Sequence, residues 1–183
     1  MPKKSPNIVR LIGGELRRRQ ISFPDAIGLR PTSNRVRETL FNWLGQDLTG
    51  KICLDLFAGS GALGFEAASR HAKRVIMVEI AKPVHLYLQQ NQARLHLQEK
   101  VELQCQSAFT YLAQNQTLFD IIFLDPPFDS DLIQQILPLL PTHLAPHGKV
   151  YLEARQLPTL LSGAWLKRGK AGEAYFGLAT LTV

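Results

Sequence analysis

Four consecutive residues after the apolar run 121–124 have the chemistry to hold an exocyclic amino group on a flat base. A carboxylate and a prolyl carbonyl can each accept one N–H of such an amine, and a neighbouring aromatic ring can stack on the base. The motif therefore predicts methyl transfer to nitrogen, although a proline-rich turn that caps the next helix is the simpler alternative. The predicted catalytic residues are Asp125, Pro126, Pro127 and Phe128.

A second motif, Asp55–Gly64, has the order expected of a buried strand end, a glycine turn and a helix start. Its G-x-G-x-x-G spacing also fits a nicotinamide or flavin dinucleotide site, so a dehydrogenase is a competing hypothesis. Asp55 at the strand end favours S-adenosylmethionine instead, because the methionine ammonium needs an acceptor where a pyrophosphate needs bare N–H groups. The predicted cofactor-binding residues are Asp55, Phe57, Ala58, Gly59, Ser60, Gly61, Glu79, Ile80, Ser107 and Ala108.

Two of these residues have specific predicted roles. Glu79 ends the next apolar run, where a carboxylate suits a bidentate hold on two ribose hydroxyls. Ser107 follows a third run, where it could meet the adenine edge or simply cap a helix. No metal site is predicted, because Cys53 and Cys105 lack ligand spacing and are interpreted as small core residues.

The elements that must position these motifs alternate along the chain. Short apolar strands are predicted near 52–56, 74–79, 100–105, 119–124 and 149–154, with helices between them and Gly148 breaking the chain before the last. This alternation predicts an α/β fold with a doubly wound, mostly parallel, Rossmann-like sheet. The carboxyl ends of such strands share one crevice, which brings both motifs together. Residues 164–183 resemble a closing antiparallel hairpin.

Composition is consistent with one catalytic domain and a small appendage. The chain has 183 residues, 45% of them hydrophobic, and its net charge of +6 suggests an acidic partner. No apolar run approaches the roughly 18 residues of a membrane span, and no signal-peptide core follows the first residues. We expect a cytoplasmic protein that makes no membrane contact and works as a monomer.

The excess charge lies in the first fifty residues, which hold nine Lys and Arg against four Asp and Glu. Two short strands around Gly13-Gly14 predict a hairpin, and apolar positions after Pro31 predict a helix. We therefore divide the chain into a basic, RNA-binding extension (1–50) and a catalytic domain (51–183). Arginine suits phosphate because its guanidinium binds in a fork. The predicted RNA-binding residues are Arg10, Arg17, Arg18, Arg19, Arg30, Arg35 and Arg37.

The chain resembles the bacterial RsmD family, the small-subunit (16S) rRNA guanine-N2 methyltransferases. The matching stretches are Arg10–Gly14, Leu29–Thr32, Arg35–Leu44, Asp55–Gly64 and Asp125–Phe128. The resemblance implies a class I S-adenosylmethionine-dependent methyltransferase whose partner is 16S rRNA, within the small subunit or its assembly intermediate. Arg30–Leu44 narrows the choice, because many amino-methyltransferases share the other two motifs.

Two further hypotheses stay open from the residues alone. An adenine-N6 or cytosine-N4 DNA methyltransferase uses the same amine holder, although the chain has no obvious room for a large target-recognition domain. A non-catalytic RNA-binding or ribosome-assembly factor could retain the cofactor pocket. Transfer to DNA alone, or RNA binding without any transfer, would distinguish these from rRNA methylation.

Overall fold

The computed structural model describes residues 6–26, 29, 31–128 and 130–182, and within them strands and helices alternate as predicted. The strands are β1 (Asn7–Arg10), β2 (Gln20–Phe23), β3 (Ile52–Asp55), β4 (Arg74–Val78), β5 (Val101–Gln104), β6 (Phe119–Leu124), β7 (Leu144–Ala154), β8 (Ala164–Ala171) and β9 (Ala174–Thr180). The helices are α1 (Asn34–Leu44), α2 (Ala62–Ser69), α3 (Lys82–Arg94), α4 (Ala108–Gln114) and α5 (Leu132–Ile136), followed by a 3-10 helix at Leu137–His143.

In the described part of the chain, the main sheet has seven strands in the order β5-β4-β3-β6-β7-β9-β8. The first five pair in parallel, and β9 pairs antiparallel with both β7 and β8. Both faces are covered, because Cys53 of β3 enters one apolar cluster and Leu54 enters the other. The mostly parallel sheet with a C-terminal antiparallel hairpin confirms the predicted fold class.

The parallel strands all run in one direction, so the sheet has two distinct edges. The carboxyl edge is where β3, β4, β5, β6 and β7 end, and the amino edge is where they begin. Parallel topology places every strand-to-helix loop at the carboxyl edge, which is where open α/β sheets bind ligands. Both sequence motifs lie there.

The N-terminal extension packs on one face of the sheet. Strands β1 and β2 form an antiparallel hairpin, with Asn7 opposite Phe23 and Arg10 opposite Gln20. Ile21 and Leu40 are fully buried in the same apolar cluster as Phe65 of α2. Ser33 caps α1 by accepting the Val36 N–H, and α1 is the helix predicted after Pro31. The extension therefore shares a core with the sheet.

Two details differ from the sequence-based predictions. Gly148 does not precede the fifth parallel strand but lies inside β7, where the pairing with β6 shifts between Phe119 and Ile121. A Cβ at Gly148 would lie 2.8 Å from the Phe119 carbonyl, so the irregular pairing requires glycine. Cys105 is exposed, because β5 ends at Gln104 and the chain leaves the sheet there.

Candidate active site

The glycine loop joins β3 to α2 at the carboxyl edge. Gly59 and Gly61 have φ of 49° and 81°, the left-handed region that glycine adopts at least cost. A Cβ at Gly64 would lie 2.7 Å from the Met77 sulfur, so this glycine lets α2 pack closely on β4. The loop thus exposes backbone at the start of α2, a suitable place for a cofactor's polar groups.

Asp55 ends β3 beneath this loop and is buried. Its Oδ2 accepts the Gly64 N–H at 2.9 Å, while Oδ1 has no hydrogen-bond partner among the described residues. Burial, with a smaller contribution from the charge of Glu79, raises the pKa of Asp55 to about 7, against the lowering effect of the Gly64 hydrogen bond. A buried acceptor without a donor fits a ligand that brings one, such as an ammonium group.

Glu79 follows β4 and braces the glycine loop. One carboxylate oxygen accepts the Gly59 N–H at 3.0 Å, and the other accepts the Ala81 N–H at 2.7 Å. Each oxygen keeps a lone pair for a hydroxyl donor. The next residue, Ile80, is 68% exposed and offers an apolar side chain at the same edge. The bracing contact was not anticipated from the sequence.

The remaining predicted cofactor residues also lie at the carboxyl edge. Ser107 caps α4 by accepting the Thr110 N–H at 3.0 Å, so the capping interpretation is correct, and the adenine contact stays a prediction. The Ala58 N–H donates to the Val78 carbonyl at 2.9 Å, which ties the loop to β4. Phe57 is half-buried, whereas Ser60 and Ala108 are buried.

The Asp125–Phe128 motif follows β6, the parallel neighbour of β3. Asp125 is half-buried, and its Oδ2 accepts a hydrogen bond from the Thr32 hydroxyl at 3.1 Å. Pro126 is buried, Pro127 is exposed, and the ring of Phe128 is 38% exposed. The motif and the glycine loop therefore occupy adjacent strand ends, with an accessible ring beside a carboxylate.

A second carboxylate, absent from the sequence-based set, stands beside Asp125. Leu124 of β6 pairs with Leu152 of β7, so the next residues, Asp125 and Glu153, follow at the same level of neighbouring strands. Glu153 is 7% exposed and accepts the Tyr151 hydroxyl at 2.9 Å. Its signal in the sequence was a lone carboxylate within the apolar run 149–154.

Burial and mutual charge set the electrostatics of this pair. Burial raises the pKa of Asp125 well above its usual value, the charge of Glu153 raises it further, and the Thr32 hydrogen bond opposes the rise. Burial also raises the pKa of Glu153, although the Tyr151 hydrogen bond lowers it. The two carboxyl groups therefore resist being ionised together.

The N-terminal extension completes the site, a role that sequence patterns did not reveal. Thr32 reaches Asp125, and the Leu29 side chain lies 2.9 Å from the position that a Cβ on Gly59 would take. The chain before α1 therefore contacts both the Asp125–Phe128 motif and the glycine loop.

Comparison with known proteins agrees with this arrangement. A family model described as conserved hypothetical protein 95 matches residues 9–178. Ribosomal RNA small subunit methyltransferase D of Escherichia coli is 41% identical over 93% of this chain and 88% of its own. The Haemophilus influenzae protein of the same name is 43% identical over 84% of this chain and 82% of its own. A solved putative methyltransferase from Escherichia coli matches with a TM-score of 0.86 and 37% identity, covering 96% of this chain and 99% of that one.

The chain belongs to the RsmD family. Its fold is that of class I S-adenosylmethionine-dependent methyltransferases, as predicted. No helix within the described ranges is long and apolar enough to cross a membrane.

In this RsmD-family chain, the predicted RNA-binding arginines do not form one group. Arg10, Arg17, Arg18, Arg19 and Arg35 are exposed. The prediction for Arg37 is wrong, because its side chain is fully buried and pairs with the buried Glu66 at 3.1 Å. Arg30 lies outside the described residues.

The exposed arginines lie at different edges of the sheet. The loop 11–19 packs on the C-terminal end of α2, where the Glu15 N–H donates to the Ser69 carbonyl at 2.8 Å. Arg17, Arg18 and Arg19 are therefore near the amino edge, away from Asp125. Arg35 is in the first turn of α1, three residues after Thr32, and so lies close to the carboxyl edge.

Proposed function

We propose that this protein transfers a methyl group from S-adenosylmethionine to the exocyclic N2 of a guanine in 16S rRNA. Methylation of rRNA agrees with the family assignment and with the names of the relatives from Escherichia coli and Haemophilus influenzae. The choice of N2 comes from the family resemblance, supported by the amine chemistry of the site. One observation carries the proposal. The Asp125–Phe128 motif, which suits an amine, and the glycine loop follow the carboxyl ends of two adjacent parallel strands, β6 and β3.

The residues present fit the cofactor. Asp55 would hold the methionine ammonium through its unpaired Oδ1, and the glycine loop would approach the carboxylate and sulfonium end. Glu79 would accept the ribose hydroxyls with its remaining lone pairs, and Ile80 would cover one adenine face. When bound, S-adenosylmethionine supplies an electrophilic methyl group on a sulfonium.

The amine motif would prepare the nucleophile. The N2 lone pair of guanine is delocalised into the ring, so its two hydrogens must be held in a geometry that frees it. Asp125 and the Pro126 carbonyl would each accept one N–H, and Phe128 would stack on the base. As the nitrogen takes the methyl group, the S–CH₃ bond would break and S-adenosylhomocysteine would leave. The methylated nitrogen is acidic, and its proton would pass to Asp125 or water. Because N2 is on the Watson-Crick edge, the base must be unpaired or flipped out.

The direct test uses labelled S-adenosylmethionine with small ribosomal subunits and 16S rRNA from a strain that lacks the gene. Nucleoside mass spectrometry should then show N2-methylguanosine. Label in N6-methyladenosine alone would overturn the guanine assignment, and transfer only to DNA would overturn the rRNA assignment.

Replacing Asp125 tests the residue assignment in the same assay. We expect Asp125→Ala to abolish turnover, because one N–H of the amine loses its acceptor, while affinity for S-adenosylmethionine stays near wild type. Calorimetry with S-adenosylmethionine supplies the binding control. An active Asp125→Ala protein would remove Asp125 from the mechanism.

A further inference from the structure

The tip of the β8–β9 hairpin lies at the carboxyl edge, a position that follows from the strand register. Ala154 at the end of β7 pairs with Tyr175 of β9, and Tyr175 pairs with Lys170 of β8. One step earlier, Glu153 pairs with Phe176, so the hairpin tip continues the row that begins at Asp125. Three strand spacings of about 4.8 Å place Gly169, the residue of β8 that pairs with Phe176, roughly 14 Å from Asp125 along this row, and Lys170 is the next residue toward the tip.

This tip carries cations that the catalytic machinery does not use. Lys167, Arg168 and Lys170 are all exposed on β8, and within the described ranges none of them forms an ion pair. The Lys170 ammonium lies 4.7 Å from the ring centre of Tyr175, which is itself 38% exposed. Proteins bind nucleic-acid strands with a cation beside an exposed ring, because the cation contacts a phosphate and a sugar or base packs on the ring.

Edge-strand protection explains only part of this pattern. Lysines and arginines in the middle of an edge strand discourage pairing with another sheet, which accounts for Lys167 and Arg168. Lys170 is next to the last residue of β8, and its ammonium is held over Tyr175 at the edge where substrate must enter. The arginines at 17–19, by contrast, are near the opposite edge.

We propose that Lys170 and Tyr175, with Arg168 behind them, form a docking site for the RNA backbone that flanks the target base. This inference rests on the proposed function for its partner. The RNA would cross the carboxyl edge between Arg35 at the start of α1 and the hairpin tip, passing over Asp125. Glu173 in the hairpin turn is an exposed acidic residue near Lys170, and its charge would weaken the binding of RNA there.

The test compares matched charge reversals at the two edges. Lys170→Glu reverses a charge at the carboxyl edge, and Lys73→Glu reverses an exposed lysine just before β4 at the amino edge. We expect Lys170→Glu to raise the Kd for small subunits about tenfold and to reduce the slope of log K against log salt by about 1, as expected for a lost phosphate contact. Lys73→Glu should change neither, and Glu173→Gln should tighten binding.

Binding is measured separately from methyl transfer, so the two proposals fail in different ways. Equal Kd values for Lys170→Glu and Lys73→Glu would overturn the docking site. Tight binding of subunits by the wild type, without N2-methylguanosine, would overturn the proposed function while the comparison of the two variants still decided the docking site. A weakened Tyr175→Ala with an unchanged salt slope would support the ring's contact with sugar or base.

Discussion

At the scale of single residues, the site is a row of carboxylates at neighbouring strand ends. Asp55 ends β3, Glu79 follows β4, Asp125 follows β6, and Glu153 is next to the last residue of β7. Among these four, and within the described residues, only Glu79 has both oxygens occupied by loop N–H groups. In the mechanism proposed above, Asp125 must be ionised to take the proton that the methylated amine releases. Since Glu153 disfavours that charge, we expect Glu153 to set the pH at which the site becomes active.

The acidic limb of the pH–rate profile tests this role of Glu153. The pKa of Asp125 is raised, so methyl transfer should increase as pH rises through that pKa. Glu153→Gln removes a negative charge that raises this pKa, so the limb should move to lower pH. Single-turnover rates measured between pH 5 and 9 give the profile, and an unmoved limb would contradict the coupling.

Thr32→Val supplies a control with the opposite sign. The Thr32 hydroxyl donates to Asp125 and lowers its pKa, so the nearly isosteric valine should move the limb to higher pH. A structural disturbance common to both variants would lower the rate at every pH without moving the limb in opposite directions.

At the scale of elements, local patterns predicted the strands and missed the contacts between distant segments. The predicted bounds of β6 match the observed ones, because five apolar residues and Asp120 precede a carboxylate and two prolines. Thr32 and Leu29 could not be placed over the site, because their contacts depend on how the extension folds back onto the sheet. Arg37 was misassigned for the same reason: a buried arginine and an exposed one look alike in a charge count.

The packing of α2 on β4 yields a prediction at this scale. Gly64→Ala places a Cβ against Met77, so we expect it to lower the free energy of unfolding by about 1–3 kcal/mol, although alanine is the better helix former. Affinity for S-adenosylmethionine should fall too, because α2 begins at the glycine loop. Chemical denaturation and calorimetry measure the two effects.

The compensating variant is Met77→Ala, which frees the space that the new methyl group needs. In the double variant Gly64→Ala/Met77→Ala, the decrease in the free energy of unfolding should be smaller than the sum of the decreases in the two single variants. If the two decreases were additive, the contact with Met77 would not be the reason that position 64 requires glycine.

At the scale of the whole molecule, a buried ionic network joins the extension to the catalytic sheet. Glu66 of α2 pairs with Arg37 of α1 and with Arg70, both nearly or fully buried. The same carboxylate accepts the backbone N–H groups of Ile12 and Gly13, and Arg37 donates to the Arg10 carbonyl. Hairpin, α1 and α2 are thus held through one carboxylate.

Replacing two arginines of α1 should therefore have different effects, one on stability and the other on binding. Arg37→Ala leaves Glu66 short of one buried partner, so we expect a loss of about 3–5 kcal/mol in unfolding free energy. Arg35→Ala removes an exposed cation near the carboxyl edge and should change stability by less than about 0.5 kcal/mol while weakening binding to small subunits. Thermal unfolding and filter binding of both variants check the pair, and a destabilised Arg35→Ala would contradict it.

The hydrogen bond from Thr32 to Asp125 joins residues 93 positions apart in the chain. Contacts of such long sequence separation form late, since closing the intervening loop costs entropy that only the assembled sheet offsets. During refolding, parallel strands can pair before the extension docks. In such an intermediate, the Asp125–Phe128 motif would be present, but the carboxylate of Asp125 would lack its hydroxyl partner. Full methyl-transfer activity is therefore a kinetic reporter for the docking of the N-terminal segment, and its recovery should follow, never precede, the return of sheet structure.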